Sequence, residues 1–544
     1  MSTAEQLKNE GNALYASSNF VEAHKKYTAA MAEKPDKEML AILYQNRALN
    51  SWRMKKYLDS MNDGQEATRL DPKSAKGWLR IAVAAEELGY WDVAKNACGT
   101  GISVLPSAKL SSSMRETMTA QFEATIQRLN SSQKEYNGKV SGGEYTRESW
   151  ATLDHLPATR AAKLLQRSEL KRNIIPSSGF AIMQAHADFD RGMNLLGMTT
   201  AGPQIGSQTA FQFANGVVTA ISNAVLCDKR SFMLSAGNFF NAIELQMTAE
   251  RQQFKAWGFV GLEQLKKEVL DRLRRSSWTQ VRPAVATTMR CWVLTGFFDM
   301  NLGKQLSAIQ HLQRTVDFLE WGARQFPASE RGTVFESSFI RGVRRLHLEA
   351  VLSMYMTDGC AKSGHSLEDI QKLAQELKTE TESSIAPANL KETNPGAYIA
   401  FFVYPAAEAL AALAWVHRQK SQRASSKQEL SRQCSAGSRL YIKAAEAYPE
   451  DEEERPLLLF AATELLWWSK TPLRLTLPLC RRIADALPKI EPIWGGPMAK
   501  LRPTADRVNK CEKAVAFLRD CEKRIEQGKL SLDQAEVPGF VRGN

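Results

Sequence analysis

Residues 7–35, LKNEGNALYASSNFVEAHKKYTAAMAEKP, decide the fold of the first part of the chain. Apolar residues recur at three- and four-residue spacing in both halves of this stretch, which predicts two helices. Gly11 and Ala23 are small at the positions where the two helices would cross. Tyr27 would then pack against the pair, and Pro35 would end the second helix. The stretch therefore predicts one helix–turn–helix unit.

The same order of small, aromatic and proline positions occurs twice more before residue 107. The second copy contains Tyr44, Ala48, Tyr57, Ala67 and Pro72. The third copy contains Gly77, Trp78, Ala82, Tyr90, Ala94 and Pro106. This order resembles the tetratricopeptide repeat (TPR), whose period is about 34 residues. The resemblance implies that three helix pairs stack into a superhelix.

Five polar or basic residues occupy positions that the repeat itself does not need: Lys8, Asn12, Asn46, Lys76 and Arg80. Lys8 and Asn12 are one helical turn apart and share a face, and so do Lys76 and Arg80. Asn46 lies on the first helix of the second repeat. Because the first helices of stacked repeats line the concave groove, we expect all five side chains to converge there.

The strings that carry these residues are KNEGN (8–12), YQNRA (44–48) and KGWLR (76–80). They resemble the two-carboxylate clamp of chaperone-binding TPR domains, and all five clamp positions match. The resemblance implies binding of the C-terminal EEVD of the seventy- and ninety-kilodalton heat-shock chaperones. One departure is the first connection, PDKEMLAILYQNRA (35–48), which is a few residues longer than in the shortest family members. We expect it to extend a helix and to leave the clamp intact.

The chemistry of these side chains supports the same prediction. A chain-terminal aspartate has two carboxylates close together. Lysine supplies a compact positive charge, arginine a bidentate fork and asparagine a neutral amide donor. The alternative is a set of solvated charges on helix faces. Five matches in register favour the clamp over that alternative.

The rest of the chain is almost wholly helical in pattern, so the predicted fold class is all-α. We predict a TPR domain at 1–129, with three repeats and a capping helix, then a linker at 130–147. The linker sequence is polar and rich in Gly and Ser. Residues 148–544 form a predicted all-helical domain of no recognised family. Gly437, Tyr441, Ala444 and Pro449 repeat the spacing found from Ala23 to Pro35, which favours a solenoid-like array over a compact helical domain.

Five segments of this second region carry specific predictions. Residues 197–208 are predicted to form a loop, and residues 209–226 and 251–274 one helix each. Gly396–Val416 is long enough to span a membrane, but Pro405 and Glu408 favour a buried core helix. Pro405 suits the first turn of a helix. The acidic run Glu450–Glu454 predicts a solvated turn before a helix, or a surface that faces a basic partner.

Charge and cysteine usage limit the classes of partner and compartment. The net charge is +12, yet it is spread in short runs outside the repeats, so no nucleic-acid partner is predicted and membrane contact is not favoured. Eight cysteines are dispersed without a C-x-x-C pair, as buried free thiols are. With no signal peptide apparent at the N-terminus, these cysteines favour a reducing, cytoplasmic location.

Motifs for catalysis and metal binding are missing from the sequence. The seven histidines lack H-E-x-x-H spacing, and there is no P-loop, G-x-S-x-G or dinucleotide fingerprint. We therefore predict no catalytic residues, no metal and no cofactor.

The predicted function is that of a chaperone-binding adaptor whose helical region binds an unknown second protein partner. Two alternatives stay open at this point: an enzyme with an unrecognised helical catalytic domain, and a scaffold whose clamp binds another acidic tail.

Overall fold

The computed structural model describes residues 3–108, 110–140, 156–167, 177–198, 200–205, 208–232, 239–258, 260–496 and 504–541. In these residues the architecture is all-α apart from one two-stranded hairpin, which confirms the predicted fold class. The chain divides into two compact units, each made of two stretches. Unit 1 comprises Met1–Tyr145 and Arg251–Gly332, and unit 2 comprises Thr146–Glu250 and Thr333–Asn544.

Unit 1 begins with three helix pairs, as the repeats predict. Their six helices are α1 Thr3–Ala16, α2 Phe20–Ala32, α3 Lys37–Arg53, α4 Tyr57–Leu70, α5 Ala75–Glu87 and α6 Trp91–Val104. Side chains of Asn19, Asp36 and Ser74 accept a backbone N–H at the starts of α2, α3 and α5. At 17 residues α3 is longer than α1 or α5, so the longer first connection does extend a helix.

The crossing of α1 and α2 shows why the first repeat needs a small residue. A Cβ atom on Gly11 would lie 2.7 Å from Cε1 of Tyr27, closer than any ordinary carbon contact. Ala23 and Tyr27 are themselves buried. The tyrosine ring therefore fills the space that glycine leaves open, and the two helices pack closely.

A long seventh helix, α7, spans Ser112–Val140 and covers the third repeat. Phe122 is fully buried against Gly101 of α6, and Leu129 is buried in the same core. Arg128 forms a bidentate pair with Glu86 of α5. Residues 130–140 of the predicted linker belong to this helix, and residues 141–147 lie outside the described residues.

Three later helices complete unit 1: α12 Leu262–Arg275, α13 Trp278–Asn301 and α14 Gln305–Gln325. Helix α14 packs on α4, the second helix of the second repeat. Gln310 accepts the backbone N–H of Leu58 at 2.9 Å and donates to the carbonyl of Lys55 at 2.8 Å. Arg314 pairs with Asp59 at 2.9 Å. Residues 251–332 thus pack with the repeats, whereas the predicted division groups them with 148–544. Separate folding of 1–129 and 148–544 stays a prediction.

Unit 2 contains the remaining helices. Its first helices are α8 Pro157–Arg167, α9 Ser178–Gly197, α10 Val217–Asp228 and α11 Phe239–Gln253, which ends just past the unit boundary. Its later helices are α15 Ser337–Ser363, α16 Leu367–Ser383, α17 Leu390–Thr393, α18 Pro395–Tyr398, α19 Tyr404–Gln422, α20 Lys427–Ala447, α21 Glu454–Trp468, α22 Leu473–Trp494 and α23 Ala505–Glu526. Helices α19 to α23 pack in chain order, as in a helical array. Helices α8, α9 and α16 contact helices that are not their neighbours in the sequence, as in a compact domain.

Two local predictions in this region are wrong. Residues predicted as a loop and a helix start form an antiparallel hairpin, β1 Thr200–Ile205 and β2 Gln208–Gln212. The alternation of apolar and polar residues that is typical of strands is hidden, because the strand register shifts between Ala201 and Gln204, around a Gly-Pro pair. The single helix predicted over 251–274 is two helices, α11 and α12, separated at Lys255, whose φ is +51°.

The apolar segment near residue 400 is the one stretch, among the described residues, that is long and apolar enough to cross a membrane. It runs from Pro395 to Gln422, with 61% of its most apolar window buried inside the protein. A π-helical turn at Ile399–Val403 precedes α19, and Pro405 lies in the first turn of α19, as predicted. Glu408 pairs with Arg345 of α15 at 2.6 Å, which explains an acidic residue in this helix.

The acidic run before α21 is solvated only in part: Glu450 is exposed and α21 begins at Glu454, as predicted, but the middle of the run is not. Glu452 and Glu453 are buried, at 1% and 5% exposure. Both accept hydrogen bonds from Arg230, which also pairs with Asp228 at 2.7 Å. Glu452 and Glu453 therefore face a basic partner inside unit 2, because a carboxylate leaves water only where a cation replaces its hydration.

Candidate functional site

The first helices of the three repeats contact one another in order, α1 with α3 and α3 with α5. Lys8 and Asn12 lie on α1, Asn46 lies on α3, and Lys76 and Arg80 lie on α5. In a stacked repeat these helices line the concave groove. The five predicted residues are therefore carried by the three helices of one surface.

Asn12 and Asn46 meet directly across the groove. Nδ2 of Asn46 donates to Oδ1 of Asn12 at 3.1 Å, and the hydroxyl of Tyr27 donates to the same oxygen at 3.0 Å. Burial raises the pKa of Tyr27 to about 12, so this hydroxyl keeps its proton. With its oxygen occupied by two donors, Asn12 keeps its amide N–H groups for a ligand.

Arg80 is the most enclosed cation of the set. Burial lowers the pKa of Arg80, and the nearby charge of Arg53 lowers it further, while Tyr15 acts in the opposite direction. Its Nε is buried and has no hydrogen-bond partner among the described residues. Arginine still stays protonated in such a place. Arg80 therefore presents a partly buried positive charge, which an anion would stabilise.

Three members of the predicted set make no direct contact with the others. In the described part of the chain, no hydrogen bond joins Lys8, Lys76 or Arg80 to another member. Like charges repel, so no contact among the three cations is expected. The structure thus brings Asn12 and Asn46 into contact and places Lys8 on α1 and Lys76 and Arg80 on α5.

Curated proteins with similar sequences share short stretches with this chain. A DnaJ homolog subfamily C member 7 homolog from Schizosaccharomyces pombe is 37% identical over 91 residues, which are 16% of this chain and 19% of that protein. The heat shock protein sti1 homolog of the same yeast is 33% identical over 122 residues, or 22% of this chain and 20% of its own length. The Hsp70/Hsp90 co-chaperone CNS1 of Saccharomyces cerevisiae is 34% identical over 95 residues, or 17% of this chain and 25% of its own length.

The N-terminal repeats are tetratricopeptide repeats. The chain spans about a fifth to a quarter of each of these three relatives. No protein-family model matches the chain. The matches to these three relatives cover 91, 122 and 95 residues of the chain.

Several other cations of the TPR domain form ion pairs. Lys26 pairs with Glu10 at 2.7 Å, Arg47 with Asp63 at 2.8 Å, and Arg69 with Glu66 at 2.8 Å. By contrast, no described carboxylate lies within 4.0 Å of Lys8, Lys76 or Arg80. The groove therefore has positive charge that the protein does not neutralise itself.

Two further groove residues were missed in the sequence. Nε of Arg53 donates to the hydroxyl of Tyr15 at 3.2 Å, and both residues act electrostatically on Arg80. Arg53 is exposed and lies seven residues after Asn46, on the same face of α3. Tyr15 follows Asn12 by three residues, on the same face of α1. This helical spacing was the signal that could have identified them.

A buried polar cluster elsewhere in unit 1 has the residue types of a catalytic site without its geometry. The Tyr90 hydroxyl lies 2.9 Å from Oδ2 of Asp299, 2.7 Å from Oγ of Ser307 and 2.8 Å from Nε2 of His311. Burial raises the pKa of Asp299 to about 6 and lowers that of His311 to about 3. Ser307 donates to Asp299 at 2.6 Å, so it is not activated by the histidine. The cluster joins the third repeat to α13 and α14.

Removal of the Tyr27 hydroxyl tests the role of the asparagine pair. In Tyr27→Phe the ring still fills the space beside Gly11, but Asn12 loses one of the two donors that orient it. A neutral hydrogen bond contributes roughly 1 kcal/mol, so we expect binding of an EEVD-ended peptide to weaken about fivefold. Calorimetry measures the change. Tyr44→Phe is the control, since no described residue bonds to its hydroxyl, and equal affinities for both variants would contradict this role.

Proposed function

We propose that the TPR domain binds the acidic C-terminal tail, of EEVD type, of a heat-shock 70 or heat-shock 90 chaperone. The protein would act as an adaptor or co-chaperone, with unit 2 binding a second protein partner. The observation that carries the proposal is the set of unpaired groove cations beside the Asn12–Asn46 pair. The names of the sti1 homolog and of CNS1, a heat shock protein and an Hsp70/Hsp90 co-chaperone, support it.

Each clamp residue has a role that follows from its chemistry. Lys8, Asn12 and Asn46 would surround the terminal α-carboxylate, with the two amides donating neutral hydrogen bonds. Lys76 and Arg80 would hold the aspartate side chain and the acidic residues just before it. Because Nε of Arg80 is already buried, part of the cost of removing the cation from water is met before a carboxylate binds.

The affinity of the tail should depend on salt. Three cations that face carboxylates across a groove open to solvent are screened as ionic strength rises, since the Debye length falls from about 10 Å at 0.1 M salt to about 3 Å at 1 M. We therefore expect the full chain to bind an EEVD-ended peptide more weakly at 0.5 M than at 0.05 M salt, when both are measured by calorimetry.

Two outcomes would speak against the proposal. An affinity that does not change with salt would mean that apolar contacts supply the binding. An unrelated acidic C-terminal peptide that binds as tightly as the EEVD peptide would favour the scaffold with another acidic tail. A peptide with the same composition in scrambled order, ending in valine, is the control for charge alone.

A further inference from the structure

Unit 2 contains a cavity of about 490 Å³ between α10 and α15 on one side and α19 to α21 on the other. Pockets of this size bind small molecules in many proteins. Apolar side chains form much of the wall, among them Leu346, Leu352, Trp415 and Leu458. The polar groups that line the rest of the cavity decide what kind of ligand fits.

Two of the three arginines that line the cavity, Arg230 and Arg345, have their donors occupied. All three nitrogens of Arg230 donate, to Asp228, Glu452 and Glu453 and to the hydroxyl of Tyr404. All three nitrogens of Arg345 donate as well, to Glu408 and to two backbone carbonyls. The other two cations of the lining, Arg507 and Lys229, pair with Glu454 and Glu349. An anionic ligand would therefore compete with an internal ion pair at each cation.

Acceptor capacity is left over in the same place. A carboxylate has about four lone-pair sites, and Glu408 accepts two hydrogen bonds. Among the carboxylates that pair with Arg230 and Arg345, Glu408 is the most exposed, with 35% of its side chain accessible. Five acidic and four basic residues line the cavity, so its lining carries a net negative charge when all are ionised.

Two tyrosines give an independent sign of a ligand. Tyr441 and Tyr448 line the cavity and are 6% and 7% exposed. Neither hydroxyl has a hydrogen-bond partner among the residues that the structure describes. Burial and the neighbouring Glu408, Glu454 and Glu452 raise the pKa of Tyr448 well above its usual value, so the hydroxyl stays neutral. Both side chains line the cavity, so a ligand with N–H groups could donate to these hydroxyl oxygens.

We propose that this cavity binds an aliphatic amine in its ammonium form. The ammonium group brings three donors and a positive charge to carboxylates and tyrosine oxygens that have acceptor sites free. Its methylene chain lies along the leucine and tryptophan side chains of the wall. The amine is either a free diamine or polyamine or the side chain of a lysine on another protein. The proposal concerns unit 2 alone and does not depend on the clamp of unit 1.

Calorimetry on the full chain tests this with three probes of equal length: 1,5-diaminopentane, pentane-1,5-diol and glutarate. We expect saturable binding of the diamine, at least about tenfold tighter than the diol, because charge-assisted hydrogen bonds contribute roughly 1.5–3 kcal/mol. Glutarate should not bind. A diol or glutarate affinity equal to that of the diamine, or a diamine that does not bind, would overturn the proposal.

Variants then assign the binding to the cavity. In Tyr441→Phe/Tyr448→Phe no internal hydrogen bond is lost, so stability should be kept while diamine affinity falls about fivefold or more. Tyr398→Phe, in the same unit but outside the cavity lining, is the matched control and should bind as the wild type does. Unchanged affinity in the double variant would overturn the assignment. Nα-acetyl-lysine amide, bound more tightly than the diamine, would identify a protein lysine as the source.

Discussion

Lys76→Ala/Arg80→Ala is expected to weaken binding of an EEVD-ended peptide by at least about a hundredfold. The variant removes two cations from α5 that no described carboxylate neutralises. Each charge-assisted hydrogen bond contributes roughly 1.5–3 kcal/mol, and the loss of two corresponds to two or more decades in Kd. Calorimetry on the full chain measures this directly.

The same variant should fold as the wild type does. Arg80 is enclosed and has no acidic partner, so its removal leaves no carboxylate unpaired inside the protein. This separates a loss of binding from a loss of structure. Urea unfolding of both proteins, followed by circular dichroism, should give similar midpoints.

Lys25→Ala/Lys26→Ala is the matched control. It removes the same net charge from the same domain, but both lysines lie on α2 and pair with Glu22 and Glu10 on the surface. Peptide affinity should change by less than about threefold, since exposed charges act weakly through solvent. If the control weakened binding as much as the α5 variant, general charge rather than the clamp would explain the affinity.

Arg230→Met is expected to destabilise unit 2 by about 3–5 kcal/mol, because the removal of one partner leaves buried charges without compensation. Asp228 and Glu452 are 4% and 1% exposed, and Glu453 lies beside them. Hydrogen exchange of peptides from α10 and α21 reports the loss where it occurs. Lys229→Met is the control, since its pair with Glu349 is exposed and should contribute about 1 kcal/mol or less.

The destabilisation by Arg230→Met should shrink as pH falls from 7 to about 4. Burial raises the pKa of Glu452 even in the wild type. Burial acts in the same direction on Asp228, but Arg230 outweighs it and holds the pKa of Asp228 below its usual value. Without Arg230 both folded-state pKa values lie above the unfolded ones. A carboxyl group with a raised folded-state pKa lowers the free energy of unfolding as pH rises through that pKa. Protonation at lower pH restores the lost free energy. A deficit that stayed constant over this range would mean that lost packing, not charge, causes the effect.

The sequence was sufficient for features that depend on local spacing. The repeat order predicted α1 to α6, and the one-turn spacing of Lys8 and Asn12 placed them on one face of α1. Pro405 marked the start of α19 in the same way. Such features depend on residues three to five positions apart, which a single sequence displays. The convergence of the five clamp side chains goes beyond this spacing and stays a prediction.

Contacts between distant residues could not be predicted. Tyr90 meets His311, 221 residues later, and that contact ties α14 to the repeats. Glu452 is buried because Arg230, 222 residues earlier, pairs with it. The local sequence pattern alone predicts that an acidic run is exposed to water. The hairpin at 200–212 was missed because a Gly-Pro pair interrupts its alternation. In each case one residue's environment depends on a partner that its neighbours in sequence do not reveal.

The free carboxylate at the end of the tail gives the most direct test of the proposed clamp. Amidation of an EEVD-ended peptide removes one negative charge and places N–H donors opposite Lys8, Asn12 and Asn46. The loss of two or more charge-assisted hydrogen bonds should weaken binding to the wild type by at least about tenfold. Lys8→Ala should weaken binding of the free acid and have much less effect on the amide, which calorimetry of both peptides with both proteins measures as a double-mutant cycle. An amidated peptide that bound the wild type as tightly as the free acid would contradict the clamp, even with the TPR fold intact.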